Sequence, residues 1–291
     1  MEKLRVVLRT LTPVHTGDVD RRSREVQVSG IRGSIRWWYE ALVRGMGGYA
    51  CDPTGPDSCR FDYHAYRVRG EVDEGLRDVC PACRTFGCTG WKGKFHMRIT
   101  DVTGKVGDIR LDRPGMTFVV EFLPVKEISQ EETWLLSKAM WLISEYGSLG
   151  GRTTLKPPKF RDLGLVELVE PMRSEATKED VEWWLGKGID ASESIAGRLS
   201  RMPPEHPDLR YFFFNRGRWL DAKSMNELVA VDPSGFMRGK IGESKKVFSF
   251  SRGRRFWGYT SGEEMLSSVL EKLLQMGIKG TVTGKEVIDE L

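Results

Sequence analysis

Histidine is scarce in this chain, cysteine is confined to one stretch, and no long apolar run occurs. Only four histidines are present among 291 residues. No Ser/His/Asp order, paired acids or HD motif accompanies them, so the usual hydrolytic constellations are absent. No apolar run approaches the roughly 20 residues that span a bilayer, which argues against a membrane partner. The stretch Leu4-Arg5-Val6-Val7-Leu8-Arg9-Thr10 is too polar for the core of a secretory signal. The expectation is a soluble, cytoplasmic protein. Neither sign of charge dominates: 45 Lys and Arg stand against 41 Asp and Glu, a net +4. Local excess therefore decides the partners, and the total does not.

What is present is a folded, aromatic-rich chain whose length favours two domains over one. Apolar alternation over residues 3–11 predicts a β-strand. Ile31, Ile35, Trp38 and Leu42 recur at helical spacing and predict a helix over 31–45. Residues 95–102 and 117–125 read as strands, Ser129-Gln130-Glu131-Glu132 as a capping box opening a helix, and 163–169 as another strand. Strand, helix, strand, strand, helix, strand is the ferredoxin-like order. The expected fold is α+β, with two ferredoxin-like (RRM-like) domains in tandem. The first covers 1–170 and carries an irregular, cysteine-containing insertion at about 48–92. The second covers 171–291 and reads as degraded. It shows a helix capped at Thr177, buried strands at 211–214 and 247–250, and a helix capped at Ser261.

The densest chemistry lies in residues 21–40. Arg21, Arg22, Arg24, Arg32 and Arg36 alternate with Gly30 and Gly33 and lead into Trp37-Trp38-Tyr39. Arginine offers a planar fork matched to phosphate, glycine admits close backbone approach, and aromatic faces stack bases. A glycine-rich loop at 147–161 adds Arg152, Lys156, Lys159 and Arg161, but lacks the Gly-Lys-[Ser/Thr] ending of a P-loop. Residues 216–255 hold ten Lys or Arg against four acidic residues. The plain alternative for each segment is a solvated surface or an ordinary helix C-cap.

All five cysteines fall between 51 and 88: Cys80-Pro81-Ala82-Cys83 and Cys88, with Cys51 and Cys59 upstream. A Cys-x-x-Cys knuckle presents two thiolates to one metal, and tetrahedral zinc needs two more ligands. Cys59 and Cys88 complete the candidate set, with Cys51, His64 or His96 as substitutes. Buried free thiols and disulfides are the alternatives. No cofactor is required by this reading, and zinc is the one these residues allow. His15 follows a Thr-Pro turn and is the one histidine placed to act as a base.

The blocks Thr12-Pro13-Val14-His15-Thr16-Gly17, Ile31-Arg32-Gly33-Ser34-Ile35-Arg36-Trp37-Trp38-Tyr39-Glu40 and Cys80-Pro81-Ala82-Cys83-Arg84-Thr85-Phe86-Gly87-Cys88-Thr89-Gly90-Trp91 resemble the repeat-associated (RAMP) proteins of CRISPR systems. The last two look most like the first-subunit family of the Cmr, or type III-B, effector complex. The match covers roughly the first 165 residues. After Arg152 the loop departs from the family's Arg-Arg-Gly-Phe-Gly-like ending. The resemblance implies a non-catalytic subunit that helps hold CRISPR RNA and capture target RNA in antiviral defence, beside other Cmr subunits. On that reading Arg22, Arg24, Arg32 and Arg36 contact phosphates, Trp91, Lys92 and Lys94 line the same groove, and Arg152, Lys156 and Lys159 close it. The rival readings are a metal-independent endoribonuclease using His15 and a scaffold docking acidic neighbours.

Overall fold

The structure is a computed structural model, and it describes residues 3–16, 25–107, 109–150, 162–239 and 245–291. Its first sheet contains β1 (Leu4–Thr10), β2 (Phe95–Thr100), β3 (Thr117–Pro124) and β4 (Val166–Glu170), in the spatial order β2-β3-β1-β4. Every neighbouring pair is antiparallel. Two long helices cover one face: α1 (Val28–Gly45) after β1 and α5 (Gln130–Glu145) after β3. The period-2 pattern of β1 decides its orientation: Val6 and Leu8 are fully buried beneath the helices, while Arg5 and Arg9 reach the other face. α5 begins where the sequence requires. Ser129 accepts from the Glu132 amide and Glu132 reaches back to the Ser129 amide, a complete capping box.

Between α1 and β2 the chain is not irregular, as its composition predicts, but forms three short helices. These are α2 (Tyr63–Arg69), α3 (Val72–Leu76) and α4 (Pro81–Phe86). Asp62 caps α2, and Pro81 opens α4 at a position where its missing amide hydrogen costs nothing.

The second sheet repeats the arrangement. It contains β5 (Phe212–Asn215), β6 (Val247–Phe250), β7 (Arg255–Tyr259) and β8 (Thr281–Thr283), ordered β6-β7-β5-β8 and again antiparallel throughout. With α8 (Ala222–Val229) and α9 (Glu263–Gln275) it has the same six-element sequence as the first unit, so the expected degradation is absent. α8 lies inside the basic stretch 216–255, and β7 begins at its last residue, Arg255. Ser261 makes no cap; Gly262 stands at that position. Helices α6 (Lys178–Asp190) and α7 (Glu193–Leu199) join the units, and α10 (Gly284–Asp289) ends the fold.

One helix binds the two sheets into a common core. The Trp38 ring lies 5.0 Å from Trp257 and 5.7 Å from Phe212. Trp37 is ringed by Trp38, Phe212, Trp257 and Tyr259, all within 6 Å. Phe212 and Phe214 face this core, while Phe213 points to a second one with Phe256, Val247 and helices α8 and α9. β5 is therefore covered on both faces, which explains its unbroken aromatic run. Each such buried ring contributes on the order of 2–3 kcal/mol. Arg44 ties the junction: it is fully buried and donates to the carbonyls of Ala50, Pro207 and Cys51 at 2.9–3.0 Å.

Candidate nucleic-acid interface

The predicted groove residues divide sharply by environment. Arg22, Arg24, Arg152, Lys156 and Lys159 lie outside the described residues, as do Arg21 and Arg161. The residues flanking them are described, and they meet at the start of α1. The Thr16 hydroxyl accepts from the Gln27 amide at 2.9 Å. The Gly150 amide donates to the Ser34 hydroxyl at 3.1 Å. The Gly164 amide donates to the Pro13 carbonyl and the Leu149 amide to the Gly164 carbonyl, both at 2.7 Å. Chain segments before 17, after 24, before 151 and after 161 are thus stitched together beside one helix end. That end has no acidic residue in its first turn and no side-chain cap at Gln27. The dipole of such a helix start favours an anion. Gly33 is exposed, with open space where a side chain would stand.

Arg36 and Arg32, expected to contact phosphates, are committed to partners within the protein. Arg36 donates to Glu40 at 2.7 Å, to the Gly87 carbonyl at 2.9 Å and to the Cys83 sulfur at 3.1 Å. Burial alone would lower its pKa, but the neighbouring Glu40 and Cys83 outweigh burial and raise it. Arg32 donates to the carbonyls of Phe86 and Phe95, with its guanidinium 4.9 Å from the Phe95 ring centre. Burial, and then Arg36 nearby, lower the Arg32 pKa. Helical spacing puts both arginines on the α1 face that the inserted segment covers, so their forks latch that segment to the helix.

Trp91 and Lys94 are likewise committed. Phe61 stacks on Trp91 at 5.8 Å, and the Lys126 ammonium sits 3.2 Å from its ring centre. The indole hydrogen goes to the Arg84 carbonyl at 2.8 Å. Lys94 pairs with the buried Glu132 at 2.7 Å. Lys92 alone among these residues is exposed, with no ion pair among the described residues. Burial, then Lys92 and Lys94, depress the Lys126 pKa, so three ammonium groups share one neighbourhood. Lys126 carried no sequence signal; it follows β3 as a single basic residue. The glycines of this block serve its shape. Gly87 and Gly93 adopt φ of +103° and +84°, and a methyl on Gly93 would meet the Phe86 backbone at 2.7 Å.

The open face of the first sheet is charged and paired. Arg5 meets Glu170, Arg9 meets Glu167, and Lys3 and Arg98 share Glu121. RNA-recognition sheets carry stacking aromatics on that face, and this one holds ion pairs instead. In the second unit Phe256 and Trp257 are buried and Arg216 pairs with Glu145, while Trp37 of α1 is half-buried among rings.

The cysteines gather, with one exchange. Cys51, Cys59, Cys80 and Cys83 are buried with their sulfurs within 4.8 Å of one another. Cys51 takes the place expected of Cys88, which is only half-buried and follows the turn at Gly87. The spacing of Cys51 from Cys59 forms no knuckle, and Arg44 holds the Cys51 carbonyl at 3.0 Å. Contacts from the Cys51, Cys80 and Cys83 sulfurs push Cys59 below the ordinary thiol range, and contacts from Cys51, Cys59 and Cys80 push Cys83 above it.

These features define an α+β protein of two antiparallel four-stranded sheets sharing one helix, with basic glycine-rich segments rooted at that helix's start. A family model described as the RAMP superfamily matches residues 7–155, just over half of the chain, and the chain belongs to that superfamily. No curated protein matches the sequence. Among solved structures, Cmr1 from Pyrococcus furiosus in its apo form is similar over 98% of this chain and 99% of its own, with 15% identity and a TM-score of 0.45. A structure titled type III-B Cmr-beta bound to cognate target RNA and AMPPnP, in the presence of ssDNA, has a chain similar over 94% of this one and 99% of its own. Its identity is 11% and its TM-score 0.47. Among the described residues no helix is long and apolar enough to cross a membrane.

Proposed function

We propose that this chain is a non-cleaving RNA-binding subunit of a type III-B CRISPR (Cmr) effector complex, built from two ferredoxin-like units. In that role it helps hold CRISPR RNA and capture a complementary target RNA, beside other Cmr subunits. Membership of the RAMP superfamily supports this reading, as do the Trp37-Trp38-Tyr39-Glu40 and Cys83-to-Trp91 blocks. The observation that carries it is the meeting of four chain segments at the start of α1, where Gln27 makes no side-chain cap. Two of the segments rooted there bear Arg22, Arg24, Arg152, Lys156 and Lys159. A helix start with no acidic residue in its first turn, flanked by such segments, suits a phosphate backbone whose bases vary.

The test is a salt titration of single-stranded RNA binding by the full chain, with the variants R22A/R24A and R152A/K156A/K159A. Each lost phosphate contact flattens the log–log salt slope by about 0.7 for a single strand. The expected result is weaker binding with a slope lower by about 1.4 for R22A/R24A. Unchanged affinity and slope in both variants would overturn the proposal. So would metal-independent cleavage of repeat RNA by the wild type that disappears in His15→Ala.

A further inference from the structure

We propose that Cys51, Cys59, Cys80 and Cys83 hold one zinc ion in a closed tetrahedral site that ties the inserted segment together beside α1 and α7. The sulfur spacing carries this. Cys51 and Cys83 are 3.4 Å apart and Cys51 and Cys80 3.9 Å. Four thiolates around one zinc at about 2.3 Å form a tetrahedron with edges of about 3.8 Å. A disulfide brings two sulfurs to about 2.05 Å and uses only a pair. Here four sulfurs converge on one point, all buried and all within 4.8 Å of each other.

The surroundings fit the charge of such a site. Binding Zn2+ displaces four thiol protons, leaving a cluster of net charge −2. Two guanidinium groups meet it: Arg36 from α1 donates to Cys83 at 3.1 Å, and Arg198 from α7 donates to Cys59 at 3.6 Å. The Cys80 amide adds a third donor to Cys59 at 3.3 Å. Both arginines are themselves fixed, Arg36 by Glu40 and Gly87, Arg198 by the Asp78 carbonyl. Donors held in this way orient thiolates and spread their charge, as outer-shell partners do in structural zinc sites. The ligands come from a loop before α2, the approach to it and the first turn of α4. One ion therefore fixes the segment that holds Trp91 and Lys92.

The experiment measures metal by mass spectrometry in the full chain purified from zinc-supplemented medium, with total free thiols counted after denaturation. The expected result is one zinc per chain and five free thiols once metal is chelated. Cys88→Ser should keep the zinc and Cys51→Ser should lose it. Arg198→Ala should weaken zinc about tenfold or more against a competing chelator. Should Cys51→Ser fail to fold, cobalt substitution of the wild type reads the same site, through the absorption of a tetrahedral cobalt–thiolate centre. Sub-stoichiometric metal with no cobalt–thiolate spectrum, iron in place of zinc, or one or three free thiols would each overturn the assignment. So would loss of metal in Cys88→Ser with retention in Cys51→Ser.

Discussion

Arg36→Ala separates a structural arginine from an RNA-binding one. The guanidinium neutralises Glu40, which is itself 4% exposed, and satisfies the Gly87 carbonyl. Removing one member of a buried ion pair costs about 3–5 kcal/mol, because the partner's charge is left unmatched. Arg44 also lowers the Glu40 pKa and remains in place, which moves the expectation to the lower end. The orphaned Gly87 carbonyl adds about 1 kcal/mol. The sum is a loss of about 4 kcal/mol at pH 7, or a Tm lower by roughly 7 °C for a chain of this size. The loss should shrink at pH 5, where Glu40 can take a proton and the unmatched charge disappears. Arg36→Lys should recover only part of it, since an ammonium cannot serve three acceptors in a plane. Thermal and urea denaturation measure the stability, and RNA affinity is read at a temperature where both proteins are folded. Affinity within about twofold of wild type is expected. A Tm within 2 °C of wild type together with a tenfold loss of RNA affinity would refute the reasoning and return Arg36 to the RNA surface.

Burial, offset in part by Arg36, raises the Glu40 pKa from 4.5 to about 6. The folded state therefore holds that proton more tightly than the unfolded one, and stability present below pH 4.5 falls as pH rises to about 6. At 1.36 kcal/mol per unit the loss is about 2 kcal/mol. Glu40→Gln should flatten that part of a Tm–pH profile, and an unchanged slope between pH 4.5 and 6 would show that another group titrates there. Gly147→Ala should destabilise by about 2 kcal/mol or more, because a methyl there would lie 2.2 Å from the Trp38 ring; near-wild-type melting would show that the ring can shift. Lys92→Glu should weaken RNA binding several-fold without changing Tm, whereas an effect on Tm alone would place Lys92 with the internally bonded lysines.

The local elements of the first unit were legible because their signals are local. Alternation in β1, the stripe Ile31, Ile35, Trp38 and Leu42, and the Ser129–Glu132 box each fix one element without reference to the rest. Charge misled twice. In 216–255 it hid α8, whose buried apolar residues are only Met225, Leu228 and Val229. In α1 it placed Arg32 and Arg36 at an RNA surface, since the inserted segment that consumes their donors lies some fifty residues further along the chain.

From the sequence alone came the family resemblance, the strand-and-helix order of the first unit and the cysteine knuckle, all properties of residues near one another in the chain. Tertiary structure decided which cations reach solvent, that Cys51 joins the sulfur cluster in place of Cys88, and that β5 is covered on both faces. The physical reason is that a guanidinium or a thiol has the same chemistry wherever it stands. Whether it meets water, a carbonyl or another sulfur depends on which distant segment packs against it, and α1 with Arg36, Arg44 and Trp38 is where those segments meet.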